Sequence, residues 1–151
     1  MKKLLTNFGN QFILVALIIS NISSSFLVRA ESKIYNPIVI SENHQISDTL
    51  SDHDIPTGEG GFARDYLIHL EKGDQVAIDL ISEDFDSIVI LIAADGSTVA
   101  ENDDGPDGNT NSLLFARITE TGKYIIRVRA FGETGGGTFT LKVTRLKPVE
   151  N

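Results

Sequence analysis

The chain has 151 residues, 13 Lys and Arg against 21 Asp and Glu, a net charge of −8, and no cysteine. That length holds one ordinary domain. The missing cysteines exclude disulfides and cysteine-linked lipid, and the acidity excludes the basic footprint that a phosphate backbone requires.

In chain order, Lys2 and Lys3 precede an apolar run from Phe12 to Ile19, a Ser-rich patch and Val28-Arg29-Ala30. A positive start, a short apolar core and small residues before the break predict a signal peptide over 1–30, cleaved after Ala30. The alternative, an uncleaved anchor, is opposed by the shortness of the run and by the polar patch from Ser20 to Ser25. Cleavage removes Lys2, Lys3 and Arg29 and no acid, so the charge of −8 becomes −11 in the exported chain. The reading is an exported protein, periplasmic or extracellular, with no membrane span after cleavage.

Glu31 to Asn43 reads as a lead-in, because Pro37 excludes a central strand, although Ile38-Val39-Ile40 suits a sheet edge. Strand and turn signals then run throughout from 44 to 147, leaving 148–151 as a tail. Ile46, Thr49 and Leu50 fall in a first strand, followed by a loop from Ser51 to Gly61. Tyr66, Ile68 and Leu70 alternate on one face of the next, and Lys72-Gly73-Asp74 predicts a tight hairpin into Val76, Ile78 and Leu80. The run from Ile88 to Ala94 is apolar on both faces, too short for a helix and rich in β-branched residues. It predicts a strand buried on both sides, reversed at Asp95-Gly96. A short strand from Thr98 to Asn102, an acidic loop and a strand from Asn111 to Ile118 follow. Tyr124, Ile126 and Val128 then face inward with Arg127 and Arg129 outward. Glu133 to Gly137 predicts a second hairpin turn, into Phe139, Leu141 and Val143. About eight strands at this spacing, without a helix signal, predict an all-β antiparallel sandwich or jelly roll. Tyr66 and Tyr124 are expected at the core margin, each hydroxyl reaching a partner.

The charges are unevenly placed. Asp48 to Asp107 holds sixteen acids against Arg64 and Lys72, while Arg117 to Lys147 holds seven cations against Glu120 and Glu133. Two explanations stand: oppositely charged strands side by side in one sheet, or an acidic end that attracts cations. The second has a specific candidate. Asp84, Asp86, Asn102, Asp103, Asp104, Asp107 and Asn109 supply the carboxylate and amide oxygens that a calcium ion takes. The same residues are also common makers of turns, and the spacing is not that of an EF-hand. Asp52 and Asp54, on either side of His53, form a weaker candidate.

An ordered series resembles the bacterial pre-peptidase C-terminal domain. It runs through Thr49-Leu50-Ser51-Asp52, Asp65-Tyr66, Gly73-Asp74-Gln75-Val76, Asp84-Phe85-Asp86-Ser87 and Asp95-Gly96. It continues through Glu101-Asn102-Asp103-Asp104, Asn111-Ser112, Thr121-Gly122-Lys123-Tyr124 and Gly137-Thr138-Phe139-Thr140-Leu141. The resemblance covers about Ile46 to Val143 and implies a non-catalytic sandwich of jelly-roll type. Such domains usually follow a secreted peptidase and look like accessory modules for export, targeting or substrate contact. Relatives in clostridial collagenases resemble collagen-binding domains and can be calcium-associated. Here the module reads as stand-alone, with no peptidase domain before it, and Ile88-Val89 stands where the family often has an aromatic–aliphatic pair.

Catalytic signals are sparse. Ser51-Asp52-His53-Asp54 has the residue types of a nucleophile, a base and an acid, but neighbours in sequence do not generally form that geometry. No Gly-x-Ser-x-Gly elbow occurs, and His44, His53 and His69 show no zinc-ligand spacing. The expectation is a secreted, non-enzymatic binding module that contacts protein or extracellular polysaccharide, with calcium as a candidate ion. The alternative is a partner, chaperone or inhibitor of a separately encoded secreted peptidase; a hydrolase is the weakest reading.

Overall fold

The computed structural model describes residues 35–58, 60–106, 110–132 and 135–146. The expected signal peptide, the tail at 148–151 and the candidate ligands Asp107 and Asn109 lie outside the described residues. Ten strands run β1 (Ile38–Val39), β2 (His44–Leu50), β3 (Ile55–Pro56), β4 (Phe62–Leu70), β5 (Gln75–Ile81), β6 (Ser87–Ile92), β7 (Thr98–Asn102), β8 (Ser112–Arg117), β9 (Gly122–Ala130) and β10 (Gly137–Leu146). The eight longer ones are those the alternation predicts. Among the described residues, no helix is long and apolar enough to cross a membrane.

One sheet has the order β1-β4-β9-β6-β7, with β3 also on the edge of β4, and the other β2-β10-β5-β8. Every pairing is antiparallel except β1 with β4, where Ile38 and Val39 add as the sequence suggests. Successive long strands pass to the opposite sheet each time, apart from the β6–β7 hairpin. This is the jelly-roll order, and it accounts for two expectations that failed. The turns at Lys72-Gly73-Asp74 and at 133–137 are not hairpins but crossings between the sheets: β4 pairs with β9, and β5 with β8 and β10. Glycine and aspartate shape a tight reversal in either case, and long-range pairing decides which one it becomes. Asp95-Gly96 is a true hairpin turn, with Gly96 at φ +86° and the Ala93 amide bonded to the Ser97 carbonyl at 2.8 Å.

The core fills the space between the sheets. Tyr66, Ile68 and Leu70 of β4, Ile126 and Val128 of β9, and Val89 and Leu91 of β6 meet Leu80, Leu114, Leu141 and Phe139. Phe139 makes edge-to-face contacts with Tyr66 and Phe85, centroids 6.4 and 6.3 Å apart. The Tyr124 hydroxyl donates to the Glu120 carbonyl at 2.7 Å and the Tyr66 hydroxyl to Asp48 at 2.8 Å, both as expected. β6 is buried on both faces, with Ile88 at 4% and Leu91 at 0% exposure.

Asp65 occupies an outward position on β4, yet its side chain is 1% exposed. Its register partner Arg127 grips it in a bidentate pair, Nε and Nη2 each at 2.8 Å, and Tyr35 donates to Oδ2 at 2.6 Å. Burial, reinforced by this bond, pushes the Tyr35 hydroxyl up to about 12. The cross-strand reading of the charge pattern holds here, while Arg129 of β9 reaches Glu101 of β7 at 3.4 Å across the intervening β6. Removing one member of a buried pair strands the other, whereas removing both does not. Arg127→Ala is therefore expected to destabilise the fold by about 3 kcal/mol. The double change Asp65→Ala with Arg127→Ala should cost less than the sum of the single changes in a denaturant-melt cycle.

Candidate functional site

The strand registers bring the described parts of four connections to one end of the sandwich: 51–58 with 60–61, 82–86, 103–106 with 110–111, and 131–132 with 135–136. These hold most of the residues that the sequence singles out. Their polar groups have specific partners.

Ser82 is the hub. Its Oγ donates to the Thr138 carbonyl at 2.8 Å and accepts from the Asp84 and Phe85 amides, while its own amide donates to Asn111 Oδ1 at 3.0 Å. Asp84 reaches the other sheet, where its Oδ2 accepts from both the amide and the hydroxyl of Thr138 at 2.7 Å. These two bonds hold its carboxyl below the usual carboxylate range. Gly137 is required beside it: at φ +139° a Cβ would stand 2.4 Å from that of Asp84. Ser87 and Ser112, both buried, join β6 to β8 through a 2.8 Å hydroxyl contact.

The expected calcium ligands divide into two groups. Asp84 faces β10. Asn102 faces β8, donating from Nδ2 to the Leu113 carbonyl at 2.7 Å and accepting the Asp104 amide at 2.9 Å. The Asp104 carbonyl accepts the Leu113 amide at 3.2 Å, and the Asp86 carbonyl accepts the Phe131 amide at 2.7 Å. Asp103 is exposed. Among the described residues no three His, Cys, Asp or Glu side chains are grouped so as to hold a metal ion.

The Ser51–Asp54 stretch builds a loop clamp. Asp54 Oδ2 accepts the Ser51 amide at 2.8 Å, and its Oδ1 accepts Arg64 Nε at 2.8 Å. Ser51 Oγ meets His53 through the backbone amide at 3.3 Å, while the His53 ring lies 3.0 Å from Asp52, with both side chains largely exposed. This is not the geometry of a hydroxyl activated by a histidine.

Arg64 also donates to Asp48 at 2.5 Å. Burial alone would raise the Asp48 carboxyl, but donation from Arg64, the Thr49 amide and Tyr66 outweighs it and holds the group below its ordinary value. Beside this clamp, Ser47, Thr49, Glu83, Asp84, Thr138 and Thr140 line an open cleft of about 500 Å3. Sequence reasoning did not identify Asp48, Arg64, Ser82 or Asp65 as organising residues. The one available signal was the lone Arg64 in a long acidic stretch.

Two outcomes follow. Because Asp84 is occupied by Thr138, Asp84→Ala is expected to lower the thermal midpoint in chelator as much as in calcium. A loss confined to calcium-containing buffer would make Asp84 an ion ligand instead. Second, Asp48, Asp74, Asp84 and Asp95 all titrate below their ordinary range in the folded chain. The stability they contribute is complete above the unfolded value of about 4 and is lost as pH falls through the lower folded values. Unfolding free energy should thus be level from pH 7 to about 5 and drop below about 4. Arg64→Ala should cost about 2 kcal/mol, between the exposed and buried ranges, and move the acid midpoint upward.

Comparison with known proteins places this arrangement. No curated protein matches the chain by sequence. Residues 63–130 match the model of the bacterial pre-peptidase C-terminal domain. The pre-peptidase C-terminal domain of a collagenase from Bacillus anthracis superposes with a TM-score of 0.55 at 16% identity, over 72% of this chain and 95% of that one. PliG of Aeromonas hydrophila, a periplasmic lysozyme inhibitor of g-type lysozyme, gives 0.52 at 12%, over 74% and 100%. At these identities the likenesses show the fold. The stretch 63–130 is thus similar to the bacterial pre-peptidase C-terminal domain, and the sandwich as a whole shares the fold of that domain.

Proposed function

We propose that the chain is an exported, non-catalytic module that binds a protein partner. The observation that carries this reading is the employment of its polar side chains. Ser51, Asp54, Arg64, Ser82, Asp84 and Asn102 each hold a loop or a strand end in place. A catalytic site needs instead a nucleophile and a base turned towards a shared space. Rigidly tied loops at one end of a sandwich, beside an open cleft, suit recognition, because little ordering cost remains to be met on binding.

A second reading makes the bound protein an enzyme and the chain its inhibitor. It draws on the sandwich shared with PliG of Aeromonas hydrophila, an inhibitor of g-type lysozyme. Fold alone does not carry function, so the partner has to be found.

The test immobilises the purified chain and passes the exported fraction of the host over it. A single protein that is retained and rebinds saturably is the expected result. If that protein is a hydrolase, loss of its activity at equimolar chain supports the inhibitor reading. Retention of polysaccharide in place of protein overturns the proposal. So does turnover of peptide or glycoside panels by the chain itself, abolished by His53→Ala.

A further inference from the structure

The outer face of the β4–β9–β6 layer carries a feature that the loop ties do not use. Leu67 of β4, Ile125 of β9 and Ile92 of β6 are direct register partners. Three aliphatic side chains thus form one row across three strands, about 10 Å long at ordinary strand spacing. None of the three is buried. They floor a shallow groove of about 370 Å3, closed on one side by Tyr35 and the Asp65–Arg127 pair.

Cations stand on both sides of that floor. Lys123 and Arg127 lie two residues either way along β9 from Ile125, on the same face, and both line the groove. Arg127 gives Nε and Nη2 to Asp65 and also interacts with the Tyr35 hydroxyl, so its charge is already matched. Lys123 makes no ion pair among the described residues. Asp65 is neutralised by Arg127, so the groove keeps the positive charge of Lys123 in a chain whose net charge is −8. An apolar floor beside an unmatched cation selects a ligand that is apolar and anionic at once.

We propose that this groove binds the carboxy-terminal end of a partner polypeptide. The last, apolar side chain lies on Leu67, Ile125 and Ile92, and the terminal carboxylate meets the Lys123 ammonium. Lys123 supplies a mobile charge on a long stem, while Arg127 stays paired with Asp65 and borders the groove. The row is too short for a long acyl chain, and the acidity of the chain opposes a second copy. The inference rests on the reading of the chain as a protein-binding module and assigns it one recognition site.

The experiment titrates the exported chain, followed by amide nitrogen–proton correlation spectra, with acetyl-Gly-Gly-Leu as the free acid and as its amide. The acid should shift the amide signals of Leu67, Ile92 and Ile125 saturably, and the amide form should bind about tenfold more weakly, as expected for loss of one charge-assisted contact. Lys123→Ala should weaken the acid by a similar factor with an unchanged thermal midpoint, and Lys123→Arg should restore it. Equal binding of acid and amide, shifts confined to other surfaces, indifference to Lys123→Ala, or no shift at high millimolar peptide would overturn the assignment. Tighter binding of dodecanoate than of the peptide would overturn it as well. None of these failures touches the module reading, which stands on partner capture.

Discussion

Every long strand but β6 hands the chain to the opposite sheet, and that constraint governs the rest of the molecule. A hairpin satisfies its own polar groups through the ladder it closes. A crossing leaves them at the rim of the sandwich, where they must find partners far away in sequence or remain unpaired at a cost of about 1–3 kcal/mol each when buried. The residues at these corners do that work. Ser82 joins the end of β5 to the start of β10, 56 positions on. Asp74 at the β4–β5 corner receives Arg145 of β10, and Asn43, at φ +56°, accepts the Arg145 amide. The abundance of Asp, Asn and Ser is first of all the chemistry of a fold made of corners.

The legible part of the sequence was the part set by local periodicity. Alternation of two identified the inward residues of β4, β5, β9 and β10, and an unbroken β-branched run identified β6 as buried on both faces. The tyrosine hydroxyls were placed correctly because a half-polar side chain at a core margin has few other solutions. Two crossings read as hairpins in the sequence because a glycine-bearing turn has the same local chemistry in both. Asp65 was hidden for a different reason: it occupies an outward position, and its burial is created by Arg127, 62 residues later, and by Tyr35. The candidate calcium residues illustrate the same limit. A composition rich in oxygen donors says that polar partners exist, not whether the partner is an ion, an amide or a hydroxyl.

The two faces of the molecule divide structure from recognition. At the loop end, charge and hydroxyl groups are turned on one another. On the outer face of the β4–β9–β6 layer, one ion pair is buried and a neighbouring lysine is not paired. A jelly roll places no demand on that outer surface beyond solubility, so side chains there vary without disturbing the core.

The order of strands within each sheet has a consequence for how the protein is made. The middle strand of one sheet is β9, and β10 lies between β2 and β5 in the other. The chain therefore cannot complete either layer from its amino-terminal part, since β2 waits for a partner some 93 residues later. Contacts of such long range form slowly. Folding is held back until the last strands are released, and an emerging chain stays extended along nearly its whole length. Late closure leaves β2, β4 and β5 without their main partners until β9 and β10 are made.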